Sequence, residues 1–384
     1  MHKLLKPAIR FKEFTNDWEQ HKFNELLIKI VDKGHPNMPT LTASVTGDVF
    51  RRIDTGYTVS VSNASLMNYV RVLKNDFILH LSSFRSGLAF SDFDGITSPA
   101  YIVLRLIGQN VNNPKYWKHF FRTEAFIKSL VPFTYGLRVG KTINLDELNY
   151  SILNAPSFKE QTKIASLLES IFSSITLHQR KLEKLKNIKN MLLEKMFADE
   201  KNLKPAIRFK EFTNDWEQRR LGDMCIISTG KLDANAMDKG GKYNFYTSGV
   251  EIYKINRFAF SGEAITIAGN GANVGYMHLA EGQFNAYQRT YVLQAFSENR
   301  IFLNYAIKNA LNKKIQEEVR GSGIPYIVLD MLNSLNLNIS SKNEQQKISN
   351  TFLNLDSLIT LHQRKLEKLK NIKNMLLEKM FVNA

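Results

Sequence analysis

The stretch "LHQRKLEKLKNIKNMLLEKMF" runs from Leu177 to Phe197 and again, letter for letter, from Leu361 to Phe381. With the two residues before it, the identity covers Ile175–Phe197 and Ile359–Phe381, at an offset of 184. A second block, "LKPAIRFKEFTNDWEQ", repeats at Leu5–Gln20 and Leu203–Gln218, at an offset of 198. The chain is therefore two half-repeats, each an opening block, a variable region and a terminal basic segment. Inside the variable regions, "INLDELN" from Ile143 and "IVLDMLN" from Ile327 keep the offset of 184. That correspondence predicts one topology carrying two different surfaces.

Each basic segment is preceded by S-x-x-E, at Ser157–Glu160 and Ser341–Glu344. This spacing predicts a capping box, Ser capping an N-terminal amide and Glu reaching back. A heptad follows through Ile164, Leu168, Ile171, Ile175, His178, Leu182, Leu185, Lys189, Leu192 and Met196. The second copy runs through Ile348, Phe352, Leu355, Ile359, His362, Leu366, Leu369, Lys373, Leu376 and Met380. These are coiled-coil seams, with His and Lys as polar interruptions able to fix register. The second variable region starts where the first helix ends and finishes where the second begins. A compact domain has neighbouring termini, so the helices are expected to pair antiparallel, with a globular domain at each end and a near-twofold relating the halves.

The expected segments are a globular domain over 1–156, a helix over 157–200, a second domain over 201–340 and a second helix over 341–384. Helices are predicted at Pro114–Leu130 and Ile301–Arg320, each followed by a Gly-containing loop, "TYGLRVGK" or "GSGIPY". Before them lie β-like runs, "DFILHLSS" and "PAYIVLRL" in one half, "EAITIAGNGANVGYMHL" and "QRTYVLQAF" in the other. Asn270-Gly271 predicts a tight turn. The fold class is mixed α/β (α+β): two globular domains and an antiparallel coiled coil in a tandem repeat.

The formal charge is +16 over 384 residues, and each copy of the basic segment carries six Lys/Arg against two Glu. The two copies thus supply half of the excess, which points to a polyanionic partner such as nucleic acid. Cys225 is the sole cysteine, so no intramolecular disulfide and no cysteine zinc cage is expected. The start "MHKLLKPAIRFKEF" lacks an apolar core of signal-peptide length, and no run approaches the ~18 apolar residues of a membrane span. A cytoplasmic protein is the expectation.

Catalytic patterns are near misses. "GLRVGKT" (Gly136–Thr142) has three residues between its glycines where a phosphate-binding loop has four. "AGNGANVG" spaces its glycines G-x-G-x-x-x-G and reads as a hairpin. "NNPKYW" (Asn112–Trp117) is similar to the N-P-P-Y motif of amino-methyltransferases, but Lys115 replaces the second proline, and a plain helix start is the better reading. The eight histidines are scattered without H-E-x-x-H spacing. No catalytic residue, metal site or bound cofactor is expected. Ile9, Phe11, Phe14 and Trp18, repeated as Ile207, Phe209, Phe212 and Trp216, read as apolar anchors between domain and helix.

The order variable domain, basic coiled-coil helix, variable domain, basic coiled-coil helix resembles the specificity (S) subunit of type I restriction–modification systems. "RFKEFTNDWEQRRLGD" and the helix start "SKNEQQKISNTFLNLDSLITLHQRKLEKLKNIKNMLLEKMF" are similar to that family's motifs. The first half reads "HKFNELL" where the second reads "RRLGDM", so its domain boundary is less typical. The resemblance implies that each variable domain is a target-recognition domain reading one half of a split double-stranded DNA sequence. It implies that the helices set half-site spacing and dock two methyltransferase subunits that methylate adenine N6. S-adenosylmethionine then belongs to those subunits, and ATP and Mg to a separate restriction subunit; this chain is no enzyme.

Base identity is read mainly in the major groove, by Arg or Lys on guanine and Asn or Gln on adenine. Polar and aromatic residues of the divergent loops are therefore the candidate DNA-binding set: Arg51, Arg52, Arg85, Ser86, Tyr135, Arg138 and Lys141 in the first domain. In the second they are Lys242, Tyr246, Ser248, Asn270, Asn273, Arg289, Ser322 and Tyr326. Two other classes compete: an autonomous sequence-specific DNA binder or antirestriction decoy, and a protein scaffold that touches no DNA.

Overall fold

The computed structural model describes residues 6–44, 46–56, 61–80, 87–135, 142–198, 202–319 and 326–382. The chain divides into two compact units, one of residues 1–179 with 364–384 and one of 180–363. Both divisions fall inside long helices, Phe158–Lys195 and Lys342–Lys379.

In the first unit the opening strand Glu19–Lys22 pairs antiparallel with Ile152–Ala155, the strand that leads into the first long helix. A four-stranded antiparallel sheet follows, in the order Leu27–Ile30, Tyr101–Leu106, Phe77–His80, Ala89–Phe90. Alternation along these strands sends Phe77, Leu79 and Leu104 into the main core and Ile78 and Val103 into a smaller one. Both faces are covered, which is why "DFILHLSS" reads as nearly continuous apolar sequence.

The second unit repeats this plan. Glu217–Arg220 pairs with Asn336–Ile339. The sheet order Ile226–Thr229, Thr290–Gln294, Ala264–Ala268, Met277–Ala280 is the same first-fourth-second-third order. Ile265, Ile267 and Leu293 enter its main core, and Ala264, Ala280 and Val292 the smaller cluster. The units part company beyond this shared sheet. The first carries two-stranded pairs, Leu41–Ala43 with Val49–Arg51 and Val70–Val72 with Gly95–Thr97. The second carries a mixed four-stranded sheet in which Tyr243–Tyr246 and Gln283–Ala286 run parallel.

The expected helix over 301–320 is present as Arg300–Val319. The expected single helix over 114–130 is instead two, Pro114–Phe120 and Glu124–Ser129. Thr123 breaks it: its hydroxyl donates to the Phe120 carbonyl at 2.8 Å and accepts from the Phe126 amide at 3.3 Å, capping the second helix. The bend lets Tyr116, Trp117, Phe120, Phe121 and Phe126 all enter one core. Asn113, in the methyltransferase-like stretch, is the N-cap of the first of these helices, accepting from the Lys115 and Tyr116 amides.

All the seam positions of both long helices are buried or half-buried, while Lys181, Glu183, Lys184 and Lys186 between them are exposed. In the first unit Ile164, Leu168, Ile171 and Ile175 share a core with Leu376 and Met380, with Leu366 and Leu369 packed against it. In the second, Lys189 pairs with Asp356 and Phe197 packs on Phe352, so numbers rise along one helix as they fall along the other. The pairing there is antiparallel.

The capping box is present only by half. Ser157 and Ser341 accept from the amides of Glu160 and Glu344. The glutamates do not reach back. Glu160 takes Arg10 in a two-pronged ion pair at 2.7 and 2.8 Å, and Glu344 takes Arg208 at 2.8 Å through both prongs. Both carboxylates are 1% exposed, and a buried carboxylate gains more from a guanidinium fork than from one amide. The Ile9 amide donates to the Lys379 carbonyl at 2.9 Å in the first unit, and that of Ile207 to Lys195 at 2.8 Å in the second. Trp18 and Trp216 are core residues of their units, with Ile9 and Phe11 packed on one core and Phe209 on the other; these anchor domain to helix, whereas Ile207, expected as an anchor, is exposed.

Candidate nucleic-acid interface

In the second unit, strands Ala264–Ala268 and Met277–Ala280 are joined by a loop in which Gly271 (φ +82) takes the left-handed conformation. The connection is longer than the two-residue turn expected at Asn270-Gly271. It closes through the Val274 amide on the Gly271 carbonyl, 3.1 Å, and the Gly275 amide on Ala268, 2.8 Å. The next segments are pinned against its base. The Gly269 amide donates to the Arg289 carbonyl and the Ile327 amide to the Gly269 carbonyl, each at 2.8 Å. Asn270 forms an antiparallel bridge with Tyr326.

Four of the sequence-predicted residues thereby come together: Ser248, Asn270, Arg289 and Tyr326. The Ser248 hydroxyl donates to Asn270 Oδ1 at 2.8 Å. Tyr326 is 65% exposed, and Arg289, whose carbonyl takes the Gly269 amide, and Asn273, three residues after Asn270, are exposed too. Among the described residues Arg289 has no ion pair, so its charge is available to an anion or a guanine edge.

Two residues that sequence reasoning missed complete the patch. His278 reaches the Gly249 carbonyl at 3.2 Å and packs between Tyr276, ring centroids 4.9 Å apart, and Tyr246, 5.2 Å. Burial lowers the His278 pKa, with the Gly249 hydrogen bond opposing; the neutral ring gives its one N–H to the Gly249 carbonyl and keeps the other ring nitrogen as an acceptor. The i, i+2 spacing of Tyr276 and His278 at a strand start is the signal that could have found them. Tyr246 itself is 2% exposed and packs edge-on against Phe284, 5.4 Å away. It supports the patch from below and is a core residue, contrary to its expected place on the reading surface. Lys242 is exposed beside the Tyr243 ring, 5.4 Å away, at the start of that strand.

In the first unit the expected residues are not gathered by recorded contacts among the described residues. Arg51 is exposed with its guanidinium 5.0 Å from the Phe93 ring. Arg52 is half-buried in a short 3₁₀ turn, its amide on the Thr40 carbonyl at 2.8 Å. Tyr135 is exposed on a two-residue strand opposite Thr142. Arg85, Ser86, Arg138 and Lys141, and Ser322 in the second unit, lie outside the described residues.

Among the described residues no three His, Cys, Asp or Glu side chains gather as a metal site, and no helix is long and apolar enough to cross a membrane. What the patch offers is hydrogen bonding: an oriented amide, hydroxyls and a neutral imidazole, with the Arg289 cation beside them.

Residues 213–371, which include this patch, match the family model described as the type I restriction modification DNA specificity domain. The chain is 37% identical over 158 residues to the type I restriction enzyme EcoDI specificity subunit of Escherichia coli, covering 41% of this chain and 35% of that protein. The second half of this chain is thus similar to the DNA specificity domain of type I restriction enzymes. The EcoDI match spans about a third of that relative's length. A longer match, 22% identical over 361 residues, covers 83% of this chain and 81% of the MjaVIII specificity subunit of Methanocaldococcus jannaschii. The crystal structure of the S subunit from M. genitalium shares the fold across 99% of this chain and 100% of that one, with TM-score 0.66 at 16% identity. A chain from a structure of type I R-M complex assembly and conformational transition matches at TM-score 0.50 and 15% identity, over 95% and 97% of the two chains. The patch lies in the stretch matched by the DNA specificity domain.

Proposed function

We propose that this chain selects DNA for a type I restriction–modification complex, each unit reading one half of a bipartite duplex target. One observation carries the reading. Two sheets of identical strand order bear different loop sets while their supporting helix ends are identical. A frame kept constant under varied loops is what a reader of two different half-sites needs. The long helices set the spacing of the half-sites, and cationic loop residues hold phosphates with salt-dependent affinity.

The same helices dock two methyltransferase subunits. Leu177, Arg180, Lys184, Asn187 and Met191 are exposed at helical spacing on the first long helix, and Leu361, Arg364, Lys368, Asn371 and Met375 repeat them on the second. Exposed positions are free to drift when nothing touches them, so their identity supports one partner bound twice. Adenine N6 methylation, with S-adenosylmethionine, is the work of those subunits. ATP and Mg serve a restriction subunit, and the complex works in the cytoplasm. Long-read mapping of methylated adenines in cells expressing this chain with its methyltransferase partner tests the reading. A split motif with unlike halves is the expected result; a methylome without one contradicts it.

A further inference from the structure

Ser248 and Asn270 come from separate loops, yet the Ser248 hydroxyl donates to Asn270 Oδ1 at 2.8 Å. The backbone of Asn270 is held as well, through its bridge to Tyr326 and the paired hydrogen bonds of Gly269 to Arg289 and Ile327. Both ends of this side chain are therefore placed before any ligand arrives. The bond to Ser248 uses one lone pair of Oδ1, leaving the second lone pair and both Nδ2 hydrogens. No described residue partners Nδ2. Beside it, Gly271 has nothing within 4 Å of where a Cβ would stand, so a base edge can approach the backbone closely.

We propose that Asn270 reads an adenine in the half-site of the second unit, with Ser248 as the positioning residue that holds its amide plane. This rests on the DNA-reading role proposed above. Adenine offers the major groove an N7 acceptor and an N6 donor, matched by Nδ2–H and by the remaining lone pair of Oδ1. Guanine puts its O6 acceptor where adenine has the amino group, facing Oδ1 with a second acceptor. Holding the amide in advance removes the ordering cost that a free surface asparagine meets on binding. The exposed Tyr326 and Asn273 flank this position, and Arg289 supplies the nearby cation.

The test uses the assembled complex of this chain with its methyltransferase partner, and competition binding to duplexes carrying the mapped motif or single base-pair changes in it. For the native chain, changing one A·T pair of one half to G·C weakens binding about 10- to 100-fold. Asn270→Ala binds those two duplexes alike within about 3-fold, yet keeps full discrimination across the other half-site, which also shows the variant is folded. Ser248→Ala narrows the preference at the same pair and nowhere else. Undiminished discrimination at every position in Asn270→Ala overturns the proposal. So does equal weakening on all duplexes, the mark of a phosphate contact, and so does a Ser248→Ala variant with unchanged preference at the pair. Absence of any motif preference in the native complex would instead overturn the DNA-reading role itself.

Discussion

The identical ends of the two long helices meet different neighbours. In the first unit Phe381 packs on Tyr116 and Phe120, ring centroids 5.4 and 5.8 Å away, and Lys373 lies 5.5 Å over the Phe172 ring. In the second, Phe197 packs on Phe302, Phe352 and Trp216 at 5.5, 5.9 and 6.2 Å, and Lys189 pairs with Asp356. The neighbours that differ lie on the variable regions and on the N-terminal halves of the helices, where Phe172 aligns with Asp356 and Leu168 with Phe352. Packing therefore tolerates change around the constant segment. The exposed side of the segment is identical in both copies as well, which is what the proposed docking of one partner twice requires.

The largest expected effect tests how far this equivalence goes. Phe381→Ala and Phe197→Ala each remove a ring from a core, costing about 3–5 kcal/mol. Chemical denaturation followed by limited proteolysis should place the loss in the first unit for Phe381 and in the second for Phe197. A loss shared equally by both units from either variant breaks the comparison. Glu160→Gln and Glu344→Gln come next. Each leaves a half-buried guanidinium without its charge partner, for a loss of about 2–3 kcal/mol, and matched geometry predicts matched melting shifts.

The lysine pair should split. Lys189→Met gives up an ion pair with a partly exposed Asp356 and a place over the Tyr305 ring, about 1 kcal/mol. Lys373→Met lands on Phe172 and should change stability by less than about 0.5 kcal/mol. Equal shifts in thermal melts would remove the distinction between the seams. The smallest effect is one of pH. The hydrogen bond from His119, and then the charge of Lys118, hold the Glu169 carboxyl down to about 2 against its burial. Burial keeps His119 itself toward the neutral form, so a neutral ring donates to a charged carboxylate. As pH falls from the ordinary ~4.5 toward 2 the unfolded chain protonates first, and this stabilisation is lost. Leu353 stands at the aligned position in the second unit, so Glu169→Gln should flatten the acid limb of the first unit's melting curve alone.

Much of this was legible because it is periodic. The repeat gave the two-unit plan, the heptad gave the buried seam, and apolar runs gave the strands of the shared sheet. Long-range pairing was not legible. Glu160 reads as half of a capping box because its actual partner, Arg10, is 150 residues away. Thr123 reads as an ordinary helix interior because the aromatic core that rewards a bend there is assembled from the whole unit. At the candidate interface, composition picked out Ser248, Asn270, Arg289 and Tyr326, which the sheet brings together. It misplaced Tyr246, because a tyrosine on a divergent strand looks alike from either face, and it passed over Tyr276 and His278 for the same reason.

The most direct test exchanges one reader for the other. Replacing residues 217–358 by a second copy of 19–174 keeps the strand register, since Glu19 faces Ala155 as Glu217 faces Ile339. It also moves Glu169 and Phe172 with the domain they pack against. Mapped with its methyltransferase partner, the exchanged chain should direct methylation to a motif built from the first unit's half-site twice. Retention of the original motif, with its two unlike halves, would contradict the account.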